Sequence, residues 1–311
     1  MVLQSNQTVE DYSLLTLFRY LWRHKIQVFS IPLVSTLIAV IWSLSISNTY
    51  LSDAILSPTE EAQGGGLQNI AGQLGGLASL AGISVGDESS DNVTVAIAIM
   101  QSRKFSKMFT EKYKLAVPLL AVTDWDQETG ELTVDEDIYD VESNVWVRTP
   151  KHGRPVEPTA LELYELYREL ISIERDSSTG LVHVSLEYYS PVLAQKWLEA
   201  MIMEINNEMR EREISFARNN IEYLTKQLVN IDSIEMKNVF YQLIEEQTQK
   251  LMLAEVRTEF VFSIIDPPVV PELKHAPRRS LICILVLFIT GFITTSFYIV
   301  RFLLATQQKQ A

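Results

Sequence analysis

The chain is poor in the residues that carry covalent, metal and nucleotide chemistry. It has one cysteine in 311 residues, Cys283, and this falls inside an uncharged apolar run. The remainder can therefore form no disulfide and no cysteine-based metal site. The four histidines, at positions 24, 152, 183 and 275, stand far apart with no H-x-x-x-H spacing, so local sequence offers no zinc signature. His183 alternates within a strand pattern and reads as a strand-face residue. No Gly-Lys pair occurs, and neither G-x-x-x-x-G-K-[ST] nor G-x-G-x-x-G is present, which removes the common phosphate-cradling loops. No cofactor or metal is expected. Lysine and arginine are absent between Lys25 and Arg103.

Long apolar runs are present instead. One covers residues 26–52 and another residues 281–300, each long enough at ~1.5 Å of rise per residue to cross a hydrocarbon layer of about 30 Å. A cleaved signal peptide does not fit the first. Its apolar stretch begins only after 25 residues that include Glu10 and Asp11, and no A-x-A-like exit follows. Both runs are predicted to be transmembrane helices. Arg19, Arg23 and Lys25 before the first span predict a cytoplasmic N-terminus by the positive-inside rule, and an even number of spans returns the C-terminus to the same side. Lys274, Arg278 and Arg279 before the second span oppose this locally, but the first span usually sets the topology.

The segment between the spans is acidic. The formal net charge is −13, of which residues 1–49 contribute +1 and residues 280–311 contribute +2, leaving −16 between them. Such a balance argues against a nucleic-acid partner, which calls for a clustered basic face. The expected organisation is a cytoplasmic segment over 1–25, a span over 26–48, the first part of an α/β base domain over 49–190, long helices over 191–258, a returning strand and Pro-rich connector over 259–279, a second span over 280–300 and a tail over 301–311.

Along the chain, YLSDAILSP alternates and reads as a strand leaving the membrane. Residues 64–86 hold eight of the twelve glycines and no charge; they read as a flexible loop or, through Leu67, Ile70, Leu74, Leu77 and Leu80, as a weak amphipathic helix making a close-packed contact. From Asp91 a single helix is predicted through Phe109. Residues 124–142 are acidic and read as a solvated loop. Their spacing narrowly misses a calcium loop, since Gly130 falls at the seventh position and Glu128 at the fifth; Asp124-Trp125-Asp126 is an unspecific D-x-D. A helix from Thr159, a strand from Ile171, an SSTG turn and the alternating LVHVSLEYY predict a helix feeding a β-hairpin.

Ser190 and Pro191 supply a cap and first-turn pair for the strongest helix, expected to run roughly 60 Å to about Asn230. Ala217, Ile221, Leu224 and Leu228 step at coiled-coil spacing and are candidate assembly residues, facing either a neighbouring subunit or the next helix. Asp232 and Ser233 cap that next helix, which ends near Val256. Phe260 to Ile265 reads as a strand, and Pro267, Pro268, Pro271 and Pro277 as a stiff extended connector to the second span.

Taken together, DYSLLTLFRYLWRHK before the first span, SIERDSSTGLVHVSLEYYSP, YQLIEEQTQKLMLAEVRTEFVFSIIDPPVVPE and the Pro-rich lead into a second span resemble the Wzz-type polysaccharide co-polymerases, chain-length determinants of bacterial surface polysaccharides. The resemblance implies an α+β periplasmic domain with a long projecting helix, flanked by two transmembrane helices in the inner membrane. It also implies a homo-oligomer without catalytic activity, acting with a Wzy-type polymerase on undecaprenyl-linked glycan. Two other functions compete: a capsule-type export adaptor working with an ABC transporter and an outer-membrane channel, which longer coiled-coil segments would favour, and a membrane-tethered hydrolase or glycosyltransferase, for which only the acidic stretch offers carboxylates.

Overall fold

The computed structural model describes residues 21–59, 91–150 and 153–307; the Gly-rich segment and His152 lie outside them. In chain order the elements are α1 (Lys25–Leu44), β1 (Tyr50–Pro58), α2 (Asp91–Met100), α3 (Arg103–Lys112), α4 (Ala116–Leu120), β2 (Val122–Trp125), β3 (Leu132–Val134), β4 (Tyr139–Asp140), β5 (Val145–Trp146), α5 (Ala160–Leu170), β6 (Ile171–Arg175), β7 (Val182–Tyr188), α6 (Pro191–Leu228), α7 (Ile234–Val256), β8 (Phe262–Asp266) and α8 (Arg279–Gln307). They form two compact units: α1 with α8, and the stretch Thr49–His275.

The Thr49–His275 unit is built on an antiparallel sheet of order β6-β7-β1-β8. The alternation legible in β1 and β7 sends Tyr50, Ser52, Ala54 and Leu56, with Val182, Val184, Leu186 and Tyr188, to a single buried face, because successive strand side chains point to opposite sides. The first half of α6 lies against this face. Its buried stripe of Ala194, Trp197, Leu198, Met201, Ile202, Ile205 and Met209 follows the three-and-four spacing of one helix face. Phe105, Phe109 and Tyr167 from α3 and α5 complete the core, and the Tyr167 hydroxyl donates to the Met100 carbonyl at 2.8 Å. His183 lies on the other, exposed face. The α+β class, with one long helix and two apolar helices near the ends, is as expected.

Two local expectations need correction. The helix from Asp91 is two helices, because Ser102 is extended and its hydroxyl accepts the Phe105 N–H, starting α3 afresh; the apolar periodicity runs through the break and hides it. The acidic stretch is ordered as two small antiparallel ribbons, β2/β3 and β4/β5.

Candidate functional surface

The second half of α6 leaves the sheet and packs against α7 as a helical hairpin. Ser190 accepts the Leu193 N–H with Pro191 in the first turn, and Ser233 accepts the Met236 N–H to start α7, as the sequence predicts. At 38 residues, α6 is about 57 Å long. The antiparallel pairing is fixed by Arg218 to Glu255 at 2.9 Å and Asn220 to Gln247 at 3.3 Å. The seam lies where α6 meets α7: Ala217 is fully buried, while Ile221, Leu224 and Leu228 are half-buried. At least part of this surface is therefore covered from within the chain. Off the seam, Phe216 and Tyr223 are exposed by 60% and 62%. Seven residues apart, they share one face of the helix, and no heptad reading of the seam alone would pick them out.

A buried polar staple holds the hairpin's return strand. Asn206, on α6, accepts three successive backbone N–H groups at Oδ1, from Phe260, Val261 and Phe262 at 3.1, 2.9 and 3.0 Å. Its Nδ2 donates to the carbonyls of Phe262 and Ile202 at 3.0 and 3.3 Å. One turn further on, Arg210 donates to the Arg257 carbonyl at 3.3 Å. A run of consecutive N–H groups is a natural acceptor pocket, and here the protein fills it with its own amide. Also on α6, the buried Glu204 receives Lys112 at 2.7 Å and the Tyr113 hydroxyl at 2.8 Å. Burial, then that carboxylate, push the Tyr113 phenol up to about 12.

Two aspartates of the acidic stretch, Asp126 and Asp140, serve turns. DQETG (126–130), DVESN (140–144) and DSSTG (176–180) close the three hairpins on one pattern. In each, the leading aspartate accepts the N–H two residues on, at 2.8, 2.9 and 2.8 Å, and the last residue has positive φ, +74°, +54° and +73° at Gly130, Asn144 and Gly180. These are Asx-turns, and glycine or asparagine is what a left-handed backbone position favours. The hydroxyl of Ser178, its N–H and the Thr179 hydroxyl hold Asp176 at about 2, and the Glu128 N–H leads those that lower Asp126. Gly130, whose position suggests a displaced calcium loop, is a hairpin residue. Among the described residues no group of three or more His, Cys, Asp or Glu could hold a metal ion.

The four connector prolines differ in setting: Pro267 is exposed, Pro268 buried, and Pro271 and Pro277 half-buried. The Ser52 hydroxyl donates to the Val269 carbonyl at 3.0 Å, and the His275 N–H to that of Thr49 at 2.8 Å, so the connector is tied alongside the start of β1.

In the other unit, α1 and α8 have mean hydropathy of 1.9 and 2.3 over their most apolar stretches. They pack through small and polar residues. Pro32, Ala39 and Ser43 are buried on α1 and Thr294 and Tyr298 on α8, the Ser35 hydroxyl donates to Thr290 at 3.1 Å, and the Tyr298 hydroxyl to Gln27 at 2.7 Å. Phe29, Leu33, Leu37, Phe288 and Phe292 point outward. Small contacts inside and large apolar side chains outside suit a helix pair in lipid.

One α+β unit strung between two helices apolar and long enough to cross a bilayer defines the class. Residues 10–113 match the family described as Wzz, chain length determinant protein, and the chain resembles the polysaccharide co-polymerases as its motifs imply. Among solved structures, a full-length bacterial polysaccharide co-polymerase is 14% identical, covering 94% of this chain and 99% of that one with a TM-score of 0.38. A fragment of WzzB, a polysaccharide co-polymerase from Salmonella Typhimurium, is 16% identical over 74% of this chain and 100% of that one, at 0.31. A mutant of the Shigella flexneri lipopolysaccharide O-antigen chain-length regulator is 10% identical over 73% and 100%, at 0.20. No curated protein sequence matches.

Proposed function

We propose that this protein is a non-enzymatic regulator of surface polysaccharide chain length, anchored in the inner membrane by α1 and α8 with the Thr49–His275 unit in the periplasm. The observation that carries the reading is the Wzz match over residues 10–113 on a chain with two apolar end helices. In this reading the protein works as a homo-oligomer beside a Wzy-type polymerase that extends undecaprenyl-linked glycan. The hairpin of α6 and α7 is the scaffold element, and the exposed Phe216 and Tyr223 join Ala217, Ile221, Leu224 and Leu228 as assembly candidates. An isologous or ring contact through aromatic side chains is of the kind that dominates interfaces. Within the acidic stretch Asp126 and Asp140 serve the hairpin turns.

The test is deletion of the gene followed by gel analysis of the extracted surface polysaccharide. Loss of the modal length with polymer still made supports length control. Loss of all surface polymer would favour the export-adaptor alternative.

A further inference from the structure

The segment between β8 and α8 exposes apolar side chains where a water-facing connector has no use for them. Val269, Val270 and Leu273 are exposed by 58%, 47% and 83%. Single exposed apolar residues are ordinary; three within five positions, on a stretch stiffened by Pro268 and Pro271 and bonded to β1 through Val269 and His275, form a built feature. Both covalent exits of the Thr49–His275 unit leave from here. Thr49 follows the end of α1 at Leu44 by five residues, and His275 precedes Arg279, the first residue of α8, by four. An extended chain covers at most ~3.3–3.6 Å per residue, so linkers of five and four residues can reach no further than about 18 Å. The interfacial layer of a bilayer is itself ~5–8 Å deep.

Charge points to the same partner. Lys274, Arg278 and Arg279 outnumber Glu272 in the ten residues before α8 is under way. In the topology proposed above, these bases sit on the translocated side, where the positive-inside rule disfavours them. Arg279 is held by the Ile46 carbonyl at 3.3 Å and Asn48 at 3.1 Å; lipid phosphate would favour the positive charge of Arg278 and Lys274, and lysine can lay its stem along an apolar surface with the ammonium at the headgroups.

We propose that residues 269–275 are a bilayer-seating foot: Val269, Val270 and Leu273 enter the interfacial layer of the leaflet facing the Thr49–His275 unit, with Lys274 beside lipid phosphates. The foot rests on the reading of α1 and α8 as spans. It would fix the height of the unit above the membrane.

The full chain lends itself to a direct test, because its one cysteine, Cys283, lies in α8. The protein is reconstituted in nanodiscs of phosphatidylethanolamine and phosphatidylglycerol, and a thiol-reactive bimane reports quenching by brominated acyl chains against quenching by aqueous iodide. Three labelled forms are compared: the natural Cys283, Leu273→Cys with Cys283→Ser, and Val229→Cys with Cys283→Ser at the exposed end of α6. Bromolipid quenching at Cys283 and at position 273, with iodide quenching at 273 several-fold below that at 229, is the expected result. Quenching at Cys283 with position 273 as open to iodide as position 229 overturns the foot and leaves the spans standing. Absence of bromolipid quenching at Cys283 overturns both. Protection of position 273 from iodide without bromolipid quenching would assign the patch to a protein contact, also against the proposal. Val269→Cys with Cys283→Ser repeats the measurement should Leu273→Cys fold poorly.

Discussion

Replacing Asn206 by leucine should loosen the return of the hairpin onto the sheet far more than its one-residue footprint suggests. Asn206 is 4% exposed, and leucine keeps its approximate volume while removing every side-chain hydrogen bond. Val261 and Phe262, both buried, would lose the acceptor that sits 2.9 and 3.0 Å from their N–H groups. A buried donor left without a partner costs ~1–3 kcal/mol, so the two together place the change near ~3 kcal/mol. The half-buried Phe260 N–H can be rehydrated and adds little. At ~1.4 kcal/mol per factor of ten, this corresponds to roughly hundredfold faster opening of residues 260–262. Hydrogen exchange followed by mass spectrometry on the full chain in detergent reads that opening directly, and amides of β7 serve as the internal reference. Asn206→Asp retains an acceptor for the three N–H groups and loses the donor to Phe262, so its acceleration should be smaller than that of leucine. Exchange at 260–262 unchanged in the leucine variant would refute the reasoning, since it would mean that the three N–H groups are held by the strand pairing alone.

Glu162 is paired with Arg148 through two contacts, 2.5 and 2.8 Å. That guanidinium, aided by the backbone N–H of Thr159, holds its carboxyl below the usual range. A depressed carboxylate contributes stability that is full above its unfolded value of ~4.5 and disappears as pH falls through the folded value. Glu162→Gln should therefore lose about 2 kcal/mol at neutral pH and show a flatter acid limb in thermal melts below about pH 5, the range in which the depressed carboxyl takes up its proton. Ile221→Asp or Leu224→Asp, at half-buried sites facing α7, should destabilise the hairpin by ~1–3 kcal/mol. Phe216→Ser with Tyr223→Ser should instead leave the melt within ~0.5 kcal/mol and lower the native mass of the detergent-extracted protein. Asp124→Asn with Asp126→Asn should leave polysaccharide length intact, because an asparagine oxygen can still accept the N–H that each aspartate holds, that of Trp125 and that of Glu128; loss of activity at normal protein level would restore the case for a carboxylate site.

Much of the fold was legible because it rests on local rules. Ser190-Pro191 and Ser233 announce helix starts, the alternation of β1 and β7 announces their buried face, and SSTG announces a turn with the glycine where positive φ is needed. The break at Ser102 was hidden because apolar spacing is indifferent to one extended residue between two helices. The ribbons that contain the acidic residues 124–142 read as a loop because strands of two to four residues are too short to show a period, although D-x-x-[ST]-[GN] repeats at three places. Asn206 could not be anticipated: its role depends on a segment more than fifty residues away, and no local pattern marks an asparagine that will be buried. For the same reason the seam of Ala217, Ile221, Leu224 and Leu228 left its partner open, since heptad spacing says that a helix needs a covering surface and not whose surface it is.

The measurement closest to the central claim is the length distribution of surface polysaccharide in a deletion strain re-expressing this protein at graded levels. Length regulation predicts that a modal band returns and sharpens at a fixed position as the protein accumulates, with total polymer nearly constant. A rise in total surface polymer with no mode, or no change in the distribution at any level, would contradict it.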